Sequence, residues 1–384
     1  MKLKKIQISN FRNIKSAEIE AGDEFNLVIG NNAQGKSNFL EAFYALCLGK
    51  SYKAPIEEDV ISFNENCAVV IGWFYDGNSE FSITLRWEKD PAAGVKKTVL
   101  LNGNPVGRLS EFLDQAPAIL MIPDDLEIIR GAPDNRRKML DLMCCRVYPP
   151  LVETLRNYKR ILDARNSWLK LPVKSQDPLL GEIYEKKLST YAGIIVSKRL
   201  EIIDMLRPFI EEHHNRIFRL PSPDIRYRTS IKNLKDRTAD AISGSFLETL
   251  HTLKQEEQRR KFTMAGPHRD DFDLKQKGKT MKHFASFGEM RSSAALLKLA
   301  EVEIVSGKTG KSPVALIDDC LNEFDTDHME NFLRHLYERC QMFYTSTGIH
   351  DAFGQFAFIE TYFTENGAIR RCSQAELKTL LKTY

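Results

Sequence analysis

Apolar and polar side chains alternate along residues 3–9, with Leu3, Ile6 and Ile8 set between Lys and Gln, the period of a half-buried strand. A second strand-like run, Glu24–Ile29, stops at a loop from Gly30 to Ser37, and Asn38–Leu46 then takes up helical spacing. From about residue 66 to 122 the pattern is short strands with turns between them: Val69–Phe74, Phe81–Trp87 and Thr98–Leu101, a hairpin turn at Asn102-Gly103, and a buried run at Ala118–Ile122. The texture changes after Pro123. With Asp134 as an N-cap, nearly everything to about residue 215 reads as helix, broken at Pro149-Pro150 and over 171–178.

A strand-like run at Asp224–Thr229 and more helix over 236–260 follow. After Gly266 the pattern again mixes the two types: a hairpin near Gly278, a helix from about 289 to 306, a buried strand Val314–Ile317, a helix over 326–339, a strand over 341–346, and a short terminal segment. Two α/β stretches flanking a helical block predict an α/β fold with one domain split by a mainly α-helical insertion. There is no internal repeat or low-complexity tract, and the insertion lacks the sustained heptads of a long coiled coil.

At 384 residues, and with ~150 residues per domain, the chain has room for two or three domains. Hydrophobic residues make up 42% and charged ones 28%, a balance that predicts packed cores rather than disorder. The net charge of +3 means that any anionic partner must be met by a local basic patch. Lys2, Lys4 and Lys5 have no apolar run behind them, so no secretory leader is expected. No stretch approaches the roughly 18 apolar residues of a membrane span, which argues against transporter cores and integral membrane enzymes. The cysteines (Cys47, Cys67, Cys144, Cys145, Cys320, Cys340 and Cys372) form no CxxC pair and no zinc spacing with His. Free thiols in a reducing cytoplasm are expected.

The strongest chemical signal is Gly30-Asn31-Asn32-Ala33-Gln34-Gly35-Lys36-Ser37, a complete GxxxxGK[ST] between strand and helix. Its glycines let the backbone wrap a phosphate, with N–H groups and the positive end of the next helix pointing inward. In that role Lys36 bridges the β- and γ-phosphates and Ser37 holds Mg²⁺. Far downstream, the apolar strand Val314–Ile317 ends in Asp318 and Asp319, where a parallel sheet presents ligand-binding groups. Asp318 suits a metal, directly or through water, and Asp319 an attacking water. Either half alone is also the pattern of an ordinary turn; together they favour nucleotide chemistry. Ser286-Phe287-Gly288-Glu289, just before an amphipathic helix, offers a second helix N-terminus for an anion.

These motifs come in a specific order with several others: Asn10-Phe-Arg-Asn13, Lys50-Ser-Tyr-Lys53, Pro123-Asp-Asp-Leu126 with Gly131 and Arg136-Arg137, Asn157-Tyr-Lys-Arg160 with Arg165-Asn166, and Gly266-Pro-His-Arg-Asp-Asp271. Over essentially its full length the chain resembles the RecF family of DNA replication and repair ATPases, of the ABC/SMC type. The resemblance implies a P-loop ATPase head like that of Rad50 and SMC proteins. Residues 1–130 and 261–384 would form the head, and 131–260 the inserted helical domain. ATP and Mg²⁺ are the implied cofactors, bound through Gly30–Ser37 and Asn38, with Arg12 beside the adenine. Two heads would close on ATP as a homodimer, the Ser286 and Gly288 signature of one capping the γ-phosphate held by Lys36 of the other. Asn322-Glu-Phe-Asp325 would be the D-loop across that interface, and Thr345 and Ser346 the switch that senses the γ-phosphate. DNA is the implied macromolecular ligand, at gaps or junctions, with RecR as partner and RecO and RecA in the same pathway.

This chain departs from the family pattern at Phe287, Asn322 and Phe324. Asp319 is one carbon shorter than the glutamate of most ABC ATPases, which predicts slow hydrolysis because the base reaches the water less well. His268-Arg269-Asp270 begins like a protein-kinase catalytic loop, but position 275 is Lys where that loop needs Asn. It reads as a structural or interface loop.

Arg156, Lys159, Arg160 and Arg165, with Lys170 nearby and Asp163 among them, make a basic stretch. It is either a solvated helix face or a phosphate-binding stripe. Arg136–Lys138 and Arg259–Lys261 are similar clusters. Lacking interleaved aromatics for base stacking, such surfaces would bind DNA through phosphates, in a salt-sensitive way. The resemblance favours DNA. The other readings are a non-hydrolysing ATP-binding scaffold and a small-molecule P-loop kinase, which needs no signature. A transporter ATPase would lack the helical insertion, and an SMC or Rad50 protein would need a long coiled coil.

Overall fold

The computed structural model describes residues 1–92, 94–113, 115–234, 236–372 and 376. The chain divides into two compact units, Met1–Asp125 with Lys298–Tyr384, and Leu126–Leu297. The expected insertion, 131–260, falls inside the second unit, which also takes in residues 261–297.

The first unit begins with β1 (Lys2–Phe11), β2 (Ile14–Glu20) and β3 (Phe25–Ile29), then α1 (Lys36–Leu48). Next come β4 (Cys67–Tyr75), β5 (Glu80–Asp90), β6 (Gly94–Leu101), β7 (Asn104–Pro105), α2 (Leu109–Leu113) and β8 (Ala118–Met121). One sheet, ordered β2-β1-β4-β5-β6-β7, is antiparallel throughout. Its strands alternate buried and partly exposed positions, clearly so in β4, as expected of a sheet with one face on the core.

The second unit holds α3 (Glu127–Arg130), α4 (Pro133–Val147), α5 (Leu151–Lys170), α6 (Pro178–Phe218), β9 (Asp224–Arg228), α7 (Ala239–Arg260), β10 (Asp271–Gln276), β11 (Lys279–Thr280) and α8 (Met281–Phe284). It is mainly helical, with a three-stranded sheet β11-β10-β9. Asp134 is not the cap of α4. Pro133 takes the first helical position behind Ala132, where its missing N–H costs nothing, and Asp134 lies in the first turn.

The helix α9 (Phe287–Thr309) leads back to the first unit, which ends with β12 (Val314–Asp318), α10 (Thr326–Tyr337), β13 (Met342–Ser346), β14 (Ile359–Glu365) and β15 (Ala368–Arg371). The expected short terminal segment thus contains two strands. They complete the second sheet, β15-β14-β3-β13-β12-β8, in which β15 alone runs antiparallel. Strands β3, β8, β12 and β13 are buried along their length, because both faces of such a sheet are covered.

Helix α1 touches strands of both sheets and is buried on nearly every side. That explains a helix with little apolar–polar contrast. Phe343 of β13 packs edge-on against Phe43, with ring centres 5.0 Å apart. The register sets Ser346 beside Ile29 and Asp318 beside Thr345. The C-terminal ends of β3, β13 and β12 therefore lie side by side, with the loop Gly30–Gly35 directly above them.

Candidate functional site

The loop is shaped by two glycines for different reasons. A Cβ on Gly30 would lie 2.4 Å from the carbonyl oxygen of Thr364 in β14, so no larger residue fits. Gly35 has φ +114 and caps α1 with no side chain on the helix's first N–H groups, a backbone conformation that favours glycine. Those donors, with no acidic residue in the first turn, make an anion-binding helix end. Gln34 ties the loop down: its Oε1 accepts from the Asn366 N–H (2.6 Å) and its carbonyl from Gly367 N–H and the Thr364 hydroxyl (both 3.0 Å). Asn38 donates to Asn13 (2.8 Å).

Lys36 is buried, and its ammonium donates to the carbonyls of Gly30 (2.6 Å) and Asn31 (2.9 Å). Burial lowers its pKa, opposed by the charges of Asp319 and Asp318. The Ser37 hydroxyl donates to Asp318 Oδ1 at 2.8 Å. Asn32, Ala33, Gly35, Lys36, Ser37, Asn38, Asp318 and Asp319 line one hollow of about 130 Å³. The two halves of the nucleotide motif, far apart in sequence, meet there.

Asp318 is the hub. Thr345 also donates to its Oδ1 (2.9 Å), the Tyr52 hydroxyl donates to Oδ2 (3.2 Å), and the Lys53 ammonium lies 3.5 Å from Oδ2. Burial raises the Tyr52 pKa, with Asp318 adding to the shift, so it stays a donor. Asp319 sits at φ +51 and accepts from Asn322 Nδ2 (2.6 Å), while Tyr344 donates to Asn322 Oδ1 (3.3 Å). Desolvation raises the Asp319 pKa against the lowering effects of Asn322 and Lys36, the direction a general base needs. Ser37 and Asp318 supply hard oxygen donors, which fit Mg²⁺ with the rest of its shell from phosphate and water. Among the described residues no group of three or more His, Cys, Asp or Glu is placed to hold a metal by itself.

Arg12 forks onto the buried Glu41, with Nη2 2.8 Å and Nε 3.1 Å from Oε1, and gives Nη1 to the carbonyl of Asp59 (2.8 Å). Glu41 also takes the Ser51 hydroxyl, whose oxygen accepts from the N–H groups of Lys53 (3.0 Å) and Ala54 (2.8 Å). Sequence reasoning missed this chain of contacts. Its sequence signals are a lone acid in the apolar helix α1 and the run 50–53 that follows it.

Thr345 and Ser346 are fully buried. Ser346 contacts His350 Nε2 at 3.2 Å, so the group nearer the surface on this strand end is His350, which the sequence did not single out. Asp325 caps α10, accepting from His328 N–H at 2.9 Å.

In the second unit, Ser286 and Glu289 form a capping box at the start of α9. The Ser286 N–H and hydroxyl donate to Glu289 Oε2 (2.8 and 2.9 Å), and the Glu289 N–H donates back (3.3 Å). Gly288 and Phe287 are exposed. Of the basic stretch on α5, Arg156, Lys159 and Arg160 are exposed, Arg156 pairing with Glu153. Arg165 is not a surface cation: it is 1% exposed and its guanidinium joins Glu185 (2.9 Å), Glu257 (2.7 Å) and Thr263 (2.9 Å). Helical spacing puts it with Tyr158, Ile161 and Trp168 on the buried face. The His268 loop is also structural. Tyr158 lies 2.7 Å from His268 Nδ1, and Asp270 accepts from Tyr227 and from Ser230 N–H and hydroxyl.

A family model described as an AAA ATPase domain matches residues 1–263. A protein of Oceanobacillus iheyensis named DNA replication and repair protein RecF is 31% identical over 360 residues, covering 91% of this chain and 95% of that protein. The chain belongs to the RecF family. A RecF of a Geobacillus species is also 31% identical, over 369 residues, 94% of this chain and 97% of that protein. Among solved structures, that of the recombination mediator protein RecF-ATPrS in the RecFOR pathway superposes with a TM-score of 0.86 at 28% identity, over 97% of this chain and 98% of that one. An Smc head bound to the C-terminal winged-helix domain of ScpA gives a TM-score of 0.55 at 15% identity, over 99% of this chain and 100% of that one, a likeness of fold alone. The RecF fold is thus an α/β P-loop head of ABC type with a mainly helical insertion. Among the described residues no helix is long and apolar enough to cross a membrane.

Proposed function

We propose that this chain is an ATP-dependent DNA-binding protein of recombinational repair and replication-fork maintenance. The observation that carries the reading is the 2.8 Å contact of Ser37 with Asp318 beside the buried Lys36, two motif halves joined at the end of a parallel sheet in a chain of the RecF family. ATP, found in a related structure named RecF-ATP, is assigned here to residues 30–38. Lys36 then exchanges its two loop carbonyls for phosphate oxygens, and the open amides of α1 receive the same charge. Ser37 and Asp318 would hold Mg²⁺, which supplies positive charge against the β- and γ-phosphate oxygens. Asp319 takes the proton of the water that attacks the γ-phosphorus, and ADP leaves. Its short reach makes this step slow.

Closure of two copies on ATP would bring Ser286 and Gly288 of one to the γ-phosphate of the other, with Asn322 and Asp325 across the interface and Thr345 and Ser346 behind the phosphate. In that step the Ser286 hydroxyl must leave Glu289. Arg12 would flank the adenine while its fork stays on Glu41. DNA is assigned to the exposed cations Arg156, Lys159 and Arg160, through phosphates. Hydrolysis then frees DNA at gaps where RecR, with RecO, helps load RecA.

Light scattering with and without Mg-ATP tests the clamp. ATP should convert monomer to dimer, and Ser286→Arg should stay monomeric with ATP still bound. An unchanged mass in saturating ATP would refute closure and leave an ATP-binding scaffold.

A further inference from the structure

Asp318 has more partners than a metal ligand can keep. Ser37 and Thr345 reach its Oδ1 from α1 and β13. Oδ2 is shared by Tyr52 and Lys53, both on the loop that follows α1. We propose that Lys53 is a built-in substitute for the metal's charge: its ammonium neutralises Asp318 while the divalent cation is absent and gives way when metal and nucleotide bind together.

Four observations carry this. At 3.5 Å the Lys53–Asp318 contact is a charge pair longer than a charge-assisted hydrogen bond of about 2.8 Å, so no directional bond has to be broken to release it. The Lys53 side chain is 38% exposed while Asp318 is 8%, so the cation can leave and the anion cannot. The backbone is fixed, because Ser51, held by Glu41, accepts from the N–H groups of Lys53 and Ala54. The movement is thereby confined to the flexible four-carbon stem, whose ammonium rests 5.3 Å from the Tyr52 ring centre. Finally, Tyr52 is held edge-on by Tyr44, ring centres 5.5 Å apart, and stays as a neutral donor when the cation goes.

Lys53 therefore attracts nucleotide phosphate in the absence of metal and opposes a divalent cation at Asp318. Binding of metal and of nucleotide are linked through it, and such linkage is reciprocal.

The inference rests on the nucleotide reading above, and the test separates the two. The affinity of a fluorescent ATP analogue is measured in EDTA and in Mg²⁺ for the native chain, Lys53→Gln, Lys53→Arg and the surface control Lys174→Gln. In Lys53→Gln the affinity in EDTA falls about ten-fold and the gain on adding Mg²⁺ grows by about the same factor, as for removal of one cation from a partly buried site. Half-saturation by Mg²⁺ moves to lower concentration, while Lys53→Arg and Lys174→Gln keep the native ratio. A Mg²⁺ gain in Lys53→Gln within two-fold of native overturns the inference and leaves nucleotide binding standing. A native chain that binds the analogue in neither buffer overturns both.

Discussion

Replacing Arg165 by methionine should unfold the helical unit before it does anything to DNA. The guanidinium joins α5 to Glu185 of α6 and Glu257 of α7, with both carboxylates buried. Removing one partner of a buried ion pair costs about 3–5 kcal/mol, because the remaining charge is left uncompensated. Here two carboxylates lose their cation and Thr263 loses a donor. Glu257 keeps the Met264 N–H at 2.7 Å, so about 4 kcal/mol is a reasonable sum. Hydrogen exchange read segment by segment is the assay, since one melting curve does not describe two units. Amides of α5–α7 should exchange about 10³-fold faster, the equivalent of 4 kcal/mol at 1.36 kcal/mol per decade. Amides of β3, β12 and β13 should change less. The triple variant Arg165→Met, Glu185→Gln, Glu257→Gln should regain most of the loss, because neutral side chains remove the buried charges. An acceleration below about ten-fold in the single variant would mean that the carboxylates are solvated, and the assignment of Arg165 to the core would fall.

Gly30→Ala places a methyl group 2.4 Å from a backbone oxygen of β14; β3 and β14 must part, at a cost of about 1–3 kcal/mol, seen as faster amide exchange in β3 and β14 and a lost nucleotide response. Asp319→Asn keeps nucleotide affinity within a few-fold and lowers turnover by about 10² or more; phosphate release against analogue binding distinguishes a base from a ligand. His268 is half-buried against Tyr158, and desolvation pushes its pKa down to about 4. The folded state thus resists a proton that the unfolded chain takes up near pH 6.5. The stability contributed by neutral His268 is full above about pH 6.5 and falls as pH drops towards 4, by about 3 kcal/mol at most. The protection of second-unit amides at pH 7 and at pH 5 should converge in His268→Gln.

The phosphate loop was legible because its whole mechanism is local: two glycines, a lysine and a serine between a strand and a helix. The meeting with Asp318 was legible in kind, since an apolar strand ending in acid suits the same sheet. What closes the site was harder to read. β14 lies against β3 across more than three hundred residues of chain, and Ile359–Glu365 mixes Glu, Thr and Tyr with its apolar positions. Nothing local says that Thr364 will press on Gly30. Arg165 shows the opposite failure. Counted by charge it joined Arg156, Lys159 and Arg160, yet its spacing from Tyr158, Ile161 and Trp168 already set it on the apolar face. Charge type misled where periodicity would have answered. Ser286 and Glu289 carry the Ser-x-x-Glu signature of a capping box, and the start of α9 uses it.

The paired acids show how one backbone angle decides what a motif can do. In an extended strand neighbouring side chains point to opposite faces, so Asp318 and Asp319 would not share a hollow if β12 simply continued. The strand ends at Asp318, and Asp319 turns into the left-handed region at φ +51, which brings both carboxylates to the wall that Lys36 and Ser37 complete. Asp and Asn enter that region several-fold more readily than other side chains, because a short polar group can be held locally, here by Asn322. A glutamate would gain reach to the water but lose that local anchor. The aspartate at this position and the asparagine three residues on thus act as a pair: together they hold a left-handed turn that keeps the second carboxylate in the hollow.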